Sequence, residues 1–460
     1  MSMKQPTRRR TPHRRPRRYP LLPGSILLLL VVVVLVYQNV QLFSDSRGLE
    51  LSTGGQTTES EFGARPPSSS EPQPVETTTA PSTAEPEPVR FQITAVGDLL
   101  MHKPVSQGAR VTDDGHVATY DFRPNFEYIK RSIQDSAIAV FNLETTLAGP
   151  PYSGYPLFSA PDEIGEGMLA TGFNVASTAN NHIFDKGVDG FLRTTRVLQE
   201  QGLNVIGTRL SVTDPRDVIF DIEGVQVGLS AYTFETPGSP QQRTLNSLPL
   251  PSEIVPLLNS FNPYRPEAFA ADLERMASHV ASMQERGADF ICLIIHWGEE
   301  YQNVSRPYQR EMAQYLADAG VDLIIGHHPH VIQEIDVVNS SLDGSPTLVY
   351  YSLGNLVTNM TTEIPGLDGR SQDGIIARVS LIARQGQVEI EKAEYIPYHI
   401  IQEPNAFGRR HLPIPVLQAI GQPDEFPGSA TTYADSLRRI EDVVEPMPDH
   451  LPFPVIQSAG

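Results

Sequence analysis

Three of the chain's 12 histidines stand within four positions, His327, His328 and His330, in "LIIGHHPHVIQ". The apolar, β-branched residues before them read as a strand, so the imidazoles gather at a strand end. A neutral imidazole is the commonest protein ligand for transition metals. Related groups follow four other apolar runs. Asp98 and His102 follow Phe91–Val96, and Asn142 and Glu144 follow Ala137–Phe141. Asn180, Asn181, His182 and Asp185 follow Asn174–Ser177, while His296, Glu299 and Glu300 follow Phe290–Ile295. In open α/β sheets, ligands bind beyond the carboxyl ends of strands.

Carboxylate, carboxamide and imidazole donors suit Mn, Fe or Zn. The chain has no thiolate pair to add, because its single cysteine, Cys292, sits inside "FICLIIHWG" and reads as a small buried hydrophobe. His328 and His330 can reach in two directions from one turn stiffened by Pro329. Asn181 puts an oxygen donor beside His182, an imidazole free to act on substrate. Asp185, three residues on, is placed to orient that ring. Taken singly, each residue has a plain reading. Asp98 is a turn or cap residue, Glu144 a solvated acid, "ANNH" a turn, and His296 a hydrogen-bonded residue at the core's edge. Their conjunction at five strand ends favours one metal centre. His102 and His327 read as supporting residues, and His116, His279, His399 and His411 have no supporting neighbours.

These groups need strands to carry them. Besides the five above, strands are expected at Val205–Gly207, Val225–Tyr232, Leu348–Ser352, Gly374–Leu381 and Val388–Tyr395. Helical patterns fill Gly187–Gln201, Pro266–Arg286 and Pro307–Ala319. Strand–helix alternation over such a length argues an α/β fold. From Leu348 onward strands follow strands, which predicts an antiparallel portion. The Pro-rich residues 403–460 read as a surface-wrapping or disordered tail.

The 460 residues carry a formal charge of −19, unevenly placed. Residues 1–20 hold Lys4 and seven arginines without an acid, leaving 27 basic and 54 acidic side chains, a net of −27. An acidic body argues against nucleic acid as a partner. Residues 21–40 begin "LLPGSILLLLVVVVLVY", near the length that crosses a hydrocarbon core. The basic stretch precedes it, so the expected topology is cytoplasmic amino terminus, extracytoplasmic body. No small-residue cleavage site follows, which favours an uncleaved single-pass signal-anchor. Residues 41–89 are rich in Pro, Ser, Thr and Glu and read as a disordered tether.

The motifs "AVGDLLMH", "FNLETTL", "NVASTANNHIFDKGVDG", "HWGEEY", "GHHPHVIQ" and "YYSLGNL" resemble those of the capsule synthesis proteins of poly-γ-glutamate biosynthesis. That family is similar to the calcineurin-like metallophosphoesterases. The likeness spans about Phe91 to Tyr398, within an expected domain of residues 90–402. It implies a four-layer αββα sandwich of two mixed sheets. It also implies metal ligands at Asp98, Glu144, Asn181, His296, His328 and His330, and an acid–base group at His182 supported by Asp185. Residues expected to contact substrate or support the ligands are His102, Asn142, Glu299, His327 and Asn355. Two positions depart from the phosphoesterase pattern. Leu100 stands where that pattern has a His two after the Asp, and Glu144 stands for a bridging Asp. The expected complement is therefore one or two divalent ions.

The resemblance implies a role in making, exporting or anchoring an anionic surface polymer. Two functions fit: a metal-dependent hydrolase or transferase acting on phosphoester or γ-glutamyl bonds, and a non-catalytic polymer-binding or assembly subunit. The expected partners are the membrane, a polymer synthase or export complex, and the anionic polymer or its precursor.

Overall fold

The computed structural model describes residues 87–113, 118–362, 367–445 and 451–460. The basic segment, the expected anchor and nearly all of the tether lie outside the described residues. Among the described residues no helix is long and apolar enough to cross a membrane.

Two mixed sheets carry the architecture. In the first, Val89–Leu100 runs parallel to Ile138–Glu144, which runs parallel to Val175–Ser177, and that to Asn204–Ile206. On its other side Val89–Leu100 is antiparallel to Asp373–Arg384, followed by Gln387–Asn405 and Gly408–Pro415. In the second sheet Val225–Phe234, Phe290–His296, Leu323–His327 and Pro346–Tyr350 are successive parallel neighbours. Pro346–Tyr350 closes the parallel run on one side and pairs antiparallel with Ile335–Asn339 on the other, and the longer antiparallel portion begins at Asp373.

Side-chain alternation explains why these strands read as unbroken apolar runs. In Phe290–His296, residues Phe290, Cys292 and Ile294 face a core shared by both sheets. Ile291, Leu293 and Ile295 face a second core with Phe269, Leu273 and Met276 of the helix Pro266–Glu285 and Met312 and Leu316 of Pro307–Asp318. A strand buried on both faces has no polar side to show. The first sheet repeats the scheme. Ile93, Ile138 and Val140 point into the shared core, whereas Ala139, Phe141 and Leu143 pack with Ile164 and Met168 of the helix Glu163–Thr171. Burial pushes the Cys292 thiol pKa up, consistent with a packing role.

The described residues of 403–460 are not a disordered tail. Gly408–Pro415 extends the first sheet, and Val455–Gln457 pairs in parallel with Gln387–Asn405. The helix Ala430–Val444 buries Tyr433, Ile440 and Val444. The prolines that suggested a tail, Pro413 and Pro415, lie at the end of the strand order, where a missing N–H breaks no ladder.

Parallel pairing sets the ends of the site strands side by side. Asp98 registers with Asn142 in one sheet, and His296 with His327 in the other. Close backbone approach fixes this edge. A Cβ on Gly326, the residue before the histidine cluster, would sit 2.0 Å from Tyr351 O and 2.5 Å from Trp297 Nε1. Gly326→Ala is therefore expected to destabilise the fold by about 1–3 kcal/mol, the usual cost of overpacking. Denaturant unfolding of the purified variant measures it.

Candidate metal centre

Asp98 sits at an irregularity of its strand, where the register to both neighbours shifts. Such bulges re-aim a side chain. Its Oδ1 accepts from Asn142 Nδ2 at 2.9 Å and faces His327 Nδ1 at 3.0 Å. Its Oδ2 accepts the His328 N–H at 3.1 Å and lies 3.3 Å from His330 Nδ1. Burial works to raise the Asp98 pKa, but His327 and His330 outweigh it and hold the carboxyl well below its usual range.

Glu144 is the opposite case. It is fully buried, and neither carboxylate oxygen has a hydrogen-bond partner. Burial, with the nearby Asp98 charge and against the pull of His330, pushes its pKa up to about 8. His296 Nε2 lies 3.5 Å and His330 Nε2 3.8 Å from Glu144 Oε1. A buried carboxylate ringed by imidazoles without a hydrogen bond is a costly arrangement for a protein that binds nothing there.

The histidine turn aims its rings through strained backbone. His328 and His330 have φ of 100° and 57°, a region that non-glycine residues enter at a cost. His330 Nδ1 meets Asn355 Oδ1 at 3.0 Å, which leaves Nε2 toward Glu144. Asn355 is held in turn by the carbonyls of His330 and Ser371. His330 is pushed up to about 10 because Glu144 and Asp98 overcome the effect of its burial. His328 Nδ1 has no partner, and its ring packs 4.5 Å from Phe234 and 4.9 Å from His296 between centroids. Burial lowers the pKa of both His296 and His328, so both are neutral, as imidazole ligands must be. Asn181 Oδ1 lies 2.8 Å from His296 Nε2.

Ligand atoms of Glu144, His328 and His330 lie within 4.8 Å of one another, as do those of Asp98, Glu144 and His296. The orphaned Glu144 oxygens and His328 Nδ1 and the mixed oxygen–nitrogen donor set fit a divalent cation.

Beside this cluster, His182 Nδ1 lies 2.7 Å from Asp185 Oδ2, which also accepts the Phe158 N–H at 2.7 Å. The Phe158 ring meets the His182 ring edge-on at 4.6 Å. The remaining expected residues fall in different places. Asn142 bridges Asp98 and His296 Nδ1, and His327 backs Asp98 with an unpartnered Nε2. His102 packs on Phe158, accepts the Asn359 N–H, and is lowered to about 3 by burial. Glu299 is exposed and pairs with Arg306.

Three neighbours of the site carry no sequence signal. Phe234 packs against His296 and His328, and Phe158 against His182. Asn246 Nδ2 donates to Asp185 Oδ1 at 3.0 Å. Each lies in a run whose residue types are common in turns or cores, so only proximity singles it out.

Fold and site together define a mixed α/β protein of several sheets with a buried carboxylate–imidazole cluster at the strand ends. Residues 92–360 match the family described as "Bacterial capsule synthesis protein PGA_cap", and the chain belongs to that family. It is 27% identical over 277 residues to the capsule biosynthesis protein CapA of Bacillus anthracis, covering 58% of this chain and 60% of the relative. It is 33% identical over 191 residues to the PGA biosynthesis protein CapA of Bacillus subtilis (strain 168), covering 40% and 42%. The chain thus spans about half the length of these curated relatives. A solved structure, the calcineurin-like phosphoesterase YfkN from Bacillus subtilis, aligns at 14% identity and a TM-score of 0.35, over 77% of this chain and 98% of that one.

Proposed function

We propose that this is a membrane-anchored, extracytoplasmic protein of capsule or poly-γ-glutamate biosynthesis with a metal-dependent hydrolase-like centre. The observation that carries the reading is Glu144, a fully buried carboxylate whose oxygens have no hydrogen bond and which is flanked by three imidazoles. Asp98, Glu144, Asn181, His296, His328 and His330 would hold one or two ions of Mn, Fe or Zn. A bound divalent ion supplies Lewis-acid polarisation of a phosphoryl or acyl oxygen and a low-pKa water.

The chain's own residues would do the rest. Asp185 Oδ2 receives the Nδ1–H of His182 at 2.7 Å, which fixes the ring and leaves Nε2 to give a proton to a leaving-group oxygen or nitrogen. Phe158 packs edge-on against that ring. Asn142 and Asn355 hold Asp98 and His330 in the orientations they need.

The test is metal analysis of the full chain produced with Mn, Fe and Zn supplied, followed by turnover of a phosphodiester and of a γ-glutamyl peptide. Retention of metal with turnover of either substrate supports the reading. Retention without turnover moves the site to an assembly or polymer-binding role, and substoichiometric metal overturns the metal centre. Uptake should release protons. In the metal-free protein burial raises Glu144 to about 8, so that carboxyl holds a proton at neutral pH. The ion needs the carboxylate and the neutral ring, so affinity falls as pH drops. Titration in weak buffer, read by a pH indicator, measures the release.

Anchoring is tested in intact cells. Externally added protease should cut between residues 41 and 89 and shed the body as one fragment. Protection of the body would overturn the amino-terminus-in topology.

A further inference from the structure

We propose that Asn246, at the tip of a small hairpin sheet, is a positioning residue that fixes Asp185 and thereby His182. The proposal rests on the reading of His182 as the acid–base group and adds to it a residue 61 positions from Asp185 in sequence.

The hairpin sheet follows the strand Val225–Phe234 and consists of Thr236–Ser239, Gln242–Leu245 and Leu248–Pro249. Leu245 pairs with Leu248, so Asn246 and Ser247 form a two-residue turn. Both have positive φ, 48° and 62°, as the favoured two-residue hairpin turns with two left-handed residues require. The relaxed sequence for such a turn is Asn-Gly. Serine at the second position is strained, and strain of this kind persists only where the surroundings over-determine it.

The surroundings do so here. Leu245 is fully buried in the core between the large sheets. Arg243 Nη1 meets the buried Glu235 Oε1 at 2.6 Å, Thr236 and Thr244 hydroxyls lie 2.8 Å apart, and the Ser247 N–H donates to Thr236 Oγ1 at 3.0 Å. The hairpin is a rigid arm, and its tip delivers one polar side chain. Asn246 Nδ2 donates to Asp185 Oδ1 at 3.0 Å and lies 3.4 Å from His182 Nδ1.

The donors around Asp185 give the contact its meaning. Oδ2 takes the Phe158 N–H and faces His182 Nδ1, each at 2.7 Å, and Oδ1 takes Asn246. Two donors on Oδ2 hold one end of the carboxylate and leave Oδ1 to be anchored by another group. A third donor on the other oxygen fixes its plane. That plane determines where Oδ2 points and, through it, the direction of His182 Nε2. An orienting group acting through another residue is expected to cost about 10-fold when removed.

Three variants of the full chain separate positioning from turn formation. Asn246→Gly suits the turn but lacks the donor, Asn246→Asp keeps turn propensity but sets a carboxylate against Asp185, and Ser247→Gly relaxes the turn and keeps the donor. The chain is purified with zinc supplied. The downfield proton signal of the His182 Nδ1–H, assigned by its loss in His182→Gln, is followed by NMR with the melting temperature. In parallel, kcat and KM are measured on bis(p-nitrophenyl) phosphate. Asn246→Gly should fold and melt lower by no more than the one lost hydrogen bond, yet lose or broaden the His182 signal and lose about 10-fold in kcat at little change in KM. Asn246→Asp should behave likewise, and Ser247→Gly should keep both signal and kcat. If Asn246→Gly keeps the signal, Asn246 is only a turn residue and the proposal is overturned. If wild type cleaves no phosphodiester, that catalytic reading fails alone and the proton signal decides the role of Asn246.

Discussion

Replacing His182 by alanine should leave metal content and folding near normal and lower turnover by roughly 10²–10⁴-fold, the scale of a general acid–base group. The geometry separates it from the residues around it. His182 makes its short contact with Asp185, at 2.7 Å, whereas its neighbour Asn181 turns its oxygen to His296 at 2.8 Å. Adjacent residues thus face different tasks, and their variants should fail differently. Asn181→Ala should weaken metal retention. Asp185→Asn should lose less than His182→Ala, because the ring and its Nε2 remain. The measurement is metal analysis beside kcat and KM on whichever substrate the wild type cleaves. Loss of metal in His182→Ala would make that residue a ligand. Wild-type turnover in all three variants would end the catalytic reading.

The second large effect is expected from the histidine turn. His328→Ala and His330→Ala should each strip metal and remove the stability that binding adds, about 3–4 kcal/mol at ion concentrations 100–1,000 times Kd. The two should diverge once metal is chelated from all samples. His328 Nδ1 has no partner and its ring only packs, against Phe234 and His296, so chelated His328→Ala should lose the packing of the ring and no hydrogen bond at Nδ1. His330 Nδ1 contacts Asn355 at 3.0 Å and Asp98 at 3.3 Å, so chelated His330→Ala should remain less stable. Denaturant unfolding with and without chelator reads the difference. Equal stability of wild type with and without chelator would contradict metal linkage altogether.

Much of the fold was legible because its strands are buried on both faces. "FICLIIH" and "LIIGH" are unbroken apolar runs for that reason, and each ends abruptly in a polar residue at the sheet's edge. That change of residue type marked both strand and site. Where burial was one-sided or proline intervened, the reading failed. Gly408–Pro415 looked like tail because its prolines mask an edge strand. Val455–Gln457 was missed because its three residues follow Pro452 and Pro454 within a Pro-rich stretch.

The sequence by itself determined which residue types stand at which strand ends, since local hydrophobic pattern and covalent order settle that. Asp98, Glu144, His182, His296, His328 and His330 were all nameable on that basis. Only the tertiary structure decided what each of them faces. Glu144 and Asp98 are both buried carboxylates at neighbouring strand ends, yet Asp98 is held by hydrogen bonds on both oxygens and Glu144 has none. Glu299 looked like a member of the site and turns to Arg306 instead. Asn246 carried no sequence signal and reaches Asp185. Orientation and desolvation arise from contacts between segments far apart in the chain, and no local pattern encodes a distance across two sheets.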